Sequence, residues 1–127
     1  MYNKIKILII VFFLSLVMQN CLNLRSCEKN IYGKYYCKND NKALNYLELK
    51  KDHSYFHYYK KDSIELYNTG HWNKIDDGYC KIELENWKNF NEAGPNYEEF
   101  LSAILFINGK YLDLSPDGES STSFIKE

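Results

Sequence analysis

Alanine stands only at positions 43, 93 and 103 of this 127-residue chain, and proline only at 95 and 116. So little alanine disfavours a helical protein, whereas aromatic residues at 17%, with 12 tyrosines among them, suit pleated sheets. The composition points to strands. Charge of one sign is also lacking, since 16 basic residues meet 17 acidic ones for a net charge of -1. That balance offers no surplus to neutralise phosphates, which excludes nucleic acid as a partner, and no acidic excess of the kind that keeps a chain unfolded. Reactive motifs are missing too. The sequence holds no nucleophile elbow, no phosphate-cradling glycine loop and no helix with two histidines a turn apart. Glu98 and Glu99 are neighbours, so on a strand they face opposite sides and cannot share a proton. No cysteine pair has the two-residue spacing of a zinc site, and His53, His57 and His71 read as a dispersed set beside Asp52. The reading is therefore a protein that is not an enzyme, with no catalytic residue, metal site or cofactor. Its length allows one domain.

What is present begins with an export signal. Lys4 and Lys6 precede an apolar run over residues 7–17, too short to span a bilayer comfortably but the right length for a signal-peptide core. Residues 1–20 are read as that signal, 21–30 as a short tether and 31–127 as the folded domain. Met18, Gln19, Asn20 and Cys21 then resemble the bacterial lipoprotein signal, in which the cysteine is lipidated and becomes the new N-terminus. Met18 and Asn20 depart from it, because an aliphatic and a small residue usually fill those places. The resemblance implies a lipid anchor on Cys21 and a protein exported to the cell envelope, facing the periplasm or the cell exterior. Simple release, or an anchor that is never cut, are the alternatives.

Beyond the tether, strand patterns recur at 31–37, 44–50, 54–60, 64–74, 80–87, 101–107, 110–114 and 120–125. Residues 88–99, with Gly94 and Pro95, read as a long loop with room for a helical turn. Short strands with turn chemistry between them predict an all-β antiparallel up-and-down meander of about eight strands, closed into a small barrel or half-barrel. A two-residue turn at Asn108 and Gly109 sets Leu105 opposite Leu112 and Ala103 opposite Leu114. A three-residue turn over 76–78 sets Trp72 opposite Ile82 and Gly70 opposite Leu84. For the third strand, a three-residue turn with His53 in the left-handed region turns Tyr55, His57 and Tyr59 inward. A two-residue turn would instead bring Phe56 and Tyr58 inside. The first is preferred, since histidine tolerates that backbone region better than most residues.

The meander also orders the cysteines at 21, 27, 37 and 80. With Cys21 lipidated, an oxidising compartment leaves one disulfide and one thiol; without lipid, two bridges become possible. Cys37 ends strand one and Cys80 begins strand five, so they lie towards opposite ends, whereas Cys27 lies at the end of Cys80. The expected bridge is Cys27 with Cys80.

Gly33 and Tyr35, Leu47, Leu49 and Asp52, Gly70 and Trp72, Leu112, the Asp117 and Gly118 turn and Phe124 together resemble the lipocalin-like lipoproteins of Gram-negative bacteria. That likeness implies an eight-stranded small barrel or half-barrel anchored in the envelope, often of unknown role; with no reactive motif in the chain, the expected activity is binding without catalysis. His53, where those proteins usually have glycine, and the loop over 88–99 depart from it. Tyr35, Tyr55, Tyr59 and Trp72 could line a cavity for a small apolar ligand, or simply fill the interior, and the filled core is preferred. Exposed tyrosines, Trp87, Tyr97 and the loop to Glu99 would suit a protein partner instead, including one that the protein blocks in an immunity-type role.

Overall fold

The structure, a computed structural model, describes Cys27, residues 30–116 and residues 122–127. The signal, Cys21 and the Asp117 and Gly118 turn lie outside these residues. Eight antiparallel strands follow in chain order: β1 (Gly33–Cys37), β2 (Leu44–Leu49), β3 (Ser54–Lys61), β4 (Ile64–Asp76), β5 (Cys80–Lys88), β6 (Glu99–Asn108), β7 (Tyr111–Asp113) and β8 (Phe124–Lys126). Each pairs with its neighbours, and β8 returns to β1, closing the barrel. Closure removes the edges that an open meander would leave. The loop between β5 and β6 holds a one-turn helix α1 (Phe90–Ala93) and a 3-10 turn over Gly94–Asn96. Among the described residues, no helix is long and apolar enough to cross a membrane.

Alternation explains the interior. Tyr35, Leu47, Leu49, Tyr55, Trp72, Ile82, Leu84, Leu105, Leu112 and Phe124 are buried against one another. Their strand neighbours Lys34, Glu48, Phe56, Asn73, Glu83 and Ile104 are all less buried. His53 adopts φ 65°, and Leu49 faces Tyr55, so the three-residue turn is the one formed and Tyr55, His57 and Tyr59 point inward. The other two hairpins differ from the sequence expectation by one turn residue each. Asp76 pairs with Cys80, so the turn is Asp77, Gly78 and Tyr79, and Trp72 meets Leu84 rather than Ile82. Asn108 pairs with Tyr111, so Gly109 and Lys110 turn the chain, and Leu112 meets Ile107 rather than Leu105. Each correction slides a strand by two residues, a shift that does not itself move any side chain to the other face.

The two barrel ends are closed differently. At the lower end, Cys27 is bonded to Cys80 as expected, and the Trp72 ring lies under the His53 ring at 4.6 Å. The indole Nε1–H of Trp72 donates to the Lys50 carbonyl at 3.1 Å, which ties the β2–β3 turn across the opening. At the upper end, α1 lies over the interior. Asn91 holds it there, donating through Nδ2 to the Thr122 carbonyl at 3.2 Å and accepting at its backbone carbonyl from Asn39 Nδ2 at 2.7 Å.

One glycine is required by close approach. A Cβ on Gly70 would lie 2.5 Å from the Glu85 carbonyl and 2.6 Å from the Tyr55 ring. Its absence lets the Tyr55 hydroxyl cross β4 and donate to the Glu85 carbonyl at 2.7 Å, while Asn68 Nδ2 donates to that hydroxyl at 2.9 Å. This contact anchors the point where β5 changes phase at Asn86, whose φ is 55°.

Candidate functional site

Inside the barrel, large rings leave little room. Trp72, Trp87, Tyr35, Tyr55, Phe90 and Phe124 are the bulkiest of the fully buried side chains. Three residues that the sequence offered as ligand-lining, Tyr35, Tyr55 and Trp72, are therefore packed core. The Tyr35 hydroxyl donates to the Ile31 carbonyl at 2.7 Å, so its polar end is used as well. Tyr59 borders a cavity at the upper rim.

Trp87 requires a correction. It was expected on a partner surface, yet it is 1% exposed. The left-handed backbone at Asn86 shifts the pleat by one residue, so Glu85 and Asn86 both face outward and Trp87 turns in. There it stacks on His57 at 4.5 Å with the rings 2° from parallel. Tyr97 is half-buried, edge-on to Phe90 at 4.8 Å and beneath the Lys88 ammonium at 5.4 Å. Trp87 therefore offers no face to a partner, whereas Tyr97 stays partly open at the upper end.

Beside Trp87 lies a buried polar trio. His57 Nε2–H faces two oxygens, Asn45 Oδ1 at 3.0 Å and Asn91 Oδ1 at 3.2 Å, which fixes the proton on that nitrogen. Asn45 Nδ2 also donates to Asn91 Oδ1, at 2.8 Å. The Nδ1 atom makes no hydrogen bond within geometric limits among the described residues. Burial lowers the ring's pKa from 6.5 to about 3, although Asn91 and the Lys88 backbone favour the charged form. A neutral, enclosed imidazole holds α1 on the barrel; it is not placed to exchange protons with a substrate.

The sign of its pH effect follows. Between pH 6.5 and about 3 the unfolded chain binds a proton here that the folded chain refuses. Stability therefore rises with pH through that window and levels off above it. Acidification to about pH 4 is expected to cost on the order of 3 kcal/mol through this ring. Urea denaturation of the wild type and His57→Gln across that range checks it: the variant, which keeps a donor for the two asparagines, should show the shallower dependence. Equal slopes would mean that the ring is solvated.

The outer face aligns exposed tyrosines in a way that the sequence alone does not reveal. Tyr36 pairs with Tyr46, Tyr46 with Tyr58 and Tyr58 with Tyr67, so four tyrosines form one row across β1, β2, β3 and β4. Tyr36 and Tyr46 lie 5.8 Å apart, and Tyr46 stacks on Tyr58 at 5.3 Å. Phe56 stacks on Tyr58 and on Tyr67, each at 6.2 Å. Tyr67 is 69% exposed and the others are half-buried. Polar groups rim the row. Lys34 Nζ sits 4.8 Å over the Tyr46 ring, and the Tyr58 hydroxyl donates to Glu65 at 2.8 Å. No family model, curated protein or solved structure matches this chain. Function must therefore be argued from the faces themselves.

The remaining expected site residues are dispersed. His71 faces outward while His53 stacks on Trp72 at the lower end, and no group of three metal-ligating side chains occurs among the described residues. Cys37 is a buried thiol whose pKa is raised by burial, and it donates to Asn39 Oδ1 at 3.2 Å.

Proposed function

We propose that this protein is a binding module acting without catalysis, exported and held at a membrane surface through Cys21, and that it engages a protein partner through the tyrosine row of β1 to β4. The row itself carries the proposal. Tyrosine provides wide, stiff contact area with a polar tip and loses little side-chain entropy on docking, and a strip of such rings with charges at its border has the composition of an interface centre. The packed interior weighs against the alternative of an apolar-ligand carrier, because the rings occupy the volume a ligand would take. The closed eight-stranded barrel accords with the likeness to lipocalin-like envelope lipoproteins, and the anchor rests on that likeness and on the signal pattern before Cys21. Intact-mass analysis of membrane fractions should find Cys21 lipidated; an unmodified cysteine there removes the anchor.

A photo-crosslinking residue tests the interface in cells that produce the protein. Placed at Tyr67, it is expected to yield a discrete covalent adduct; placed at Tyr79, exposed in the β4–β5 turn at the lower end, it should yield none. Replacing Tyr46 and Tyr58 together by serine should abolish the adduct while lowering stability by only about 1–2 kcal/mol, the worth of cross-strand pairs. Adducts of equal strength from both sites, or from neither, would contradict the proposal.

A further inference from the structure

At the upper rim, the β1–β2 turn, the β3–β4 turn and α1 enclose an open groove of about 360 Å³. Tyr59 forms part of its wall. The residue is 6% exposed, and its hydroxyl opens on the groove. The ring is enclosed while its hydroxyl oxygen reaches solvent through the groove, where a ligand can meet it. Gly94 keeps the hydroxyl clear: a Cβ there would lie 2.8 Å from it, and the backbone φ of 53° suits glycine.

The charges around the groove define what fits. Lys61 Nζ donates to Asp40 Oδ2 at 2.6 Å, joining the two turns. An anion would meet the carboxylates of Asp40 and Asp62, and a cation would meet the Lys61 ammonium. The paired ions nevertheless keep unused donor and acceptor positions, which is what a neutral hydroxyl-rich molecule needs. Ile64 and Pro95 add apolar wall against which the C–H face of a sugar ring can lie. From this combination we propose that the upper groove binds a short uncharged saccharide, with the Tyr59 hydroxyl as a direct hydrogen-bonding group. This site is separate from the tyrosine row and does not depend on it.

Amide-detected NMR titration of the folded protein with glucose, N-acetylglucosamine, maltose and cellobiose tests it, with sodium acetate and ethylammonium chloride as charged probes. The expected result is that at least one sugar shifts amides confined to 39–40, 59–64 and 90–95, with neither charged probe doing so. Tyr59→Phe, which removes one oxygen and keeps the ring, should weaken that sugar about fivefold, the worth of one hydrogen bond. Gly94→Ala should abolish binding if it folds, and Tyr59→Phe decides the matter if it does not. The proposal is overturned if no sugar shifts these amides, if acetate or ethylammonium alone does, if the sugar shifts fall on the row from Tyr36 to Tyr67, or if Tyr59→Phe binds as the wild type does.

Discussion

Truncating Trp87 to alanine is expected to destabilise the folded domain by about 3–5 kcal/mol, the range for removing a large aromatic side chain from a packed core. Its ring is 1% exposed, stacks on His57 and stands 6.3 Å from Phe124 and 6.1 Å from Tyr55. Removal would strip one face of the imidazole and leave a cavity beside Asn45 and Asn91, whose hydrogen bonds hold α1 over the barrel. A domain of this size has about 5–15 kcal/mol in total, so the variant should be only marginally folded. Urea denaturation measures the loss. A change below about 1 kcal/mol, the size usual for a surface substitution, would return Trp87 to the outside of the molecule.

The second large effect belongs to the Cys27–Cys80 bridge, which closes a span of 53 residues. That span contains β1 to β4, half of the barrel. Constraining it in the unfolded chain contributes about 4 kcal/mol on the loop-entropy account. Cys80→Ser should therefore lower stability by that order, and reductant should have the same effect on the wild type and none on the variant. Cys37 gives no route to a rearranged bridge in the folded state, being buried at the upper end while the disulfide closes the lower one. Denaturation with and without reductant supplies the comparison. Identical midpoints would mean that the segment at Cys27 adds nothing to the barrel.

Which parts of this could be read in the sequence follows from what alternation encodes. Side-chain parity along a strand is written into the order of residues, so the eight strands, the meander and the inward faces up to the phase change at Asn86 in β5 were legible. Absolute register is not, because a slide of two residues keeps the same faces in contact. Hence Trp72 meets Leu84 instead of Ile82, and Leu112 meets Ile107 instead of Leu105. His53 could be placed because its turn decided between two faces, a difference of one residue. Cys27 and Cys80 were paired by asking which end of the meander each occupies.

Trp87 was misplaced because one backbone torsion, at Asn86, reverses the alternation, and no strand pattern records it. The asparagine itself was the available signal, since that residue enters the left-handed region more readily than most. Exposed tyrosines suit an interface on sequence grounds, but their alignment into one row is not legible there. Rings occur on both faces of β3, so Phe56 and Tyr58 carried no polarity cue, and the row exists only once three separate hairpins are in register. The groove at Tyr59 needed still more, because its walls come from two turns and a helix that meet only in the closed barrel.

The account rests on a division of the aromatic rings between a filled interior and an outward strip, and Trp72 and Trp87 are the chain's two tryptophans. Iodide quenching of their fluorescence tests it in one titration. Blue-shifted emission that iodide barely touches until the protein is unfolded is the predicted result; red-shifted emission quenched freely in the native state would contradict it.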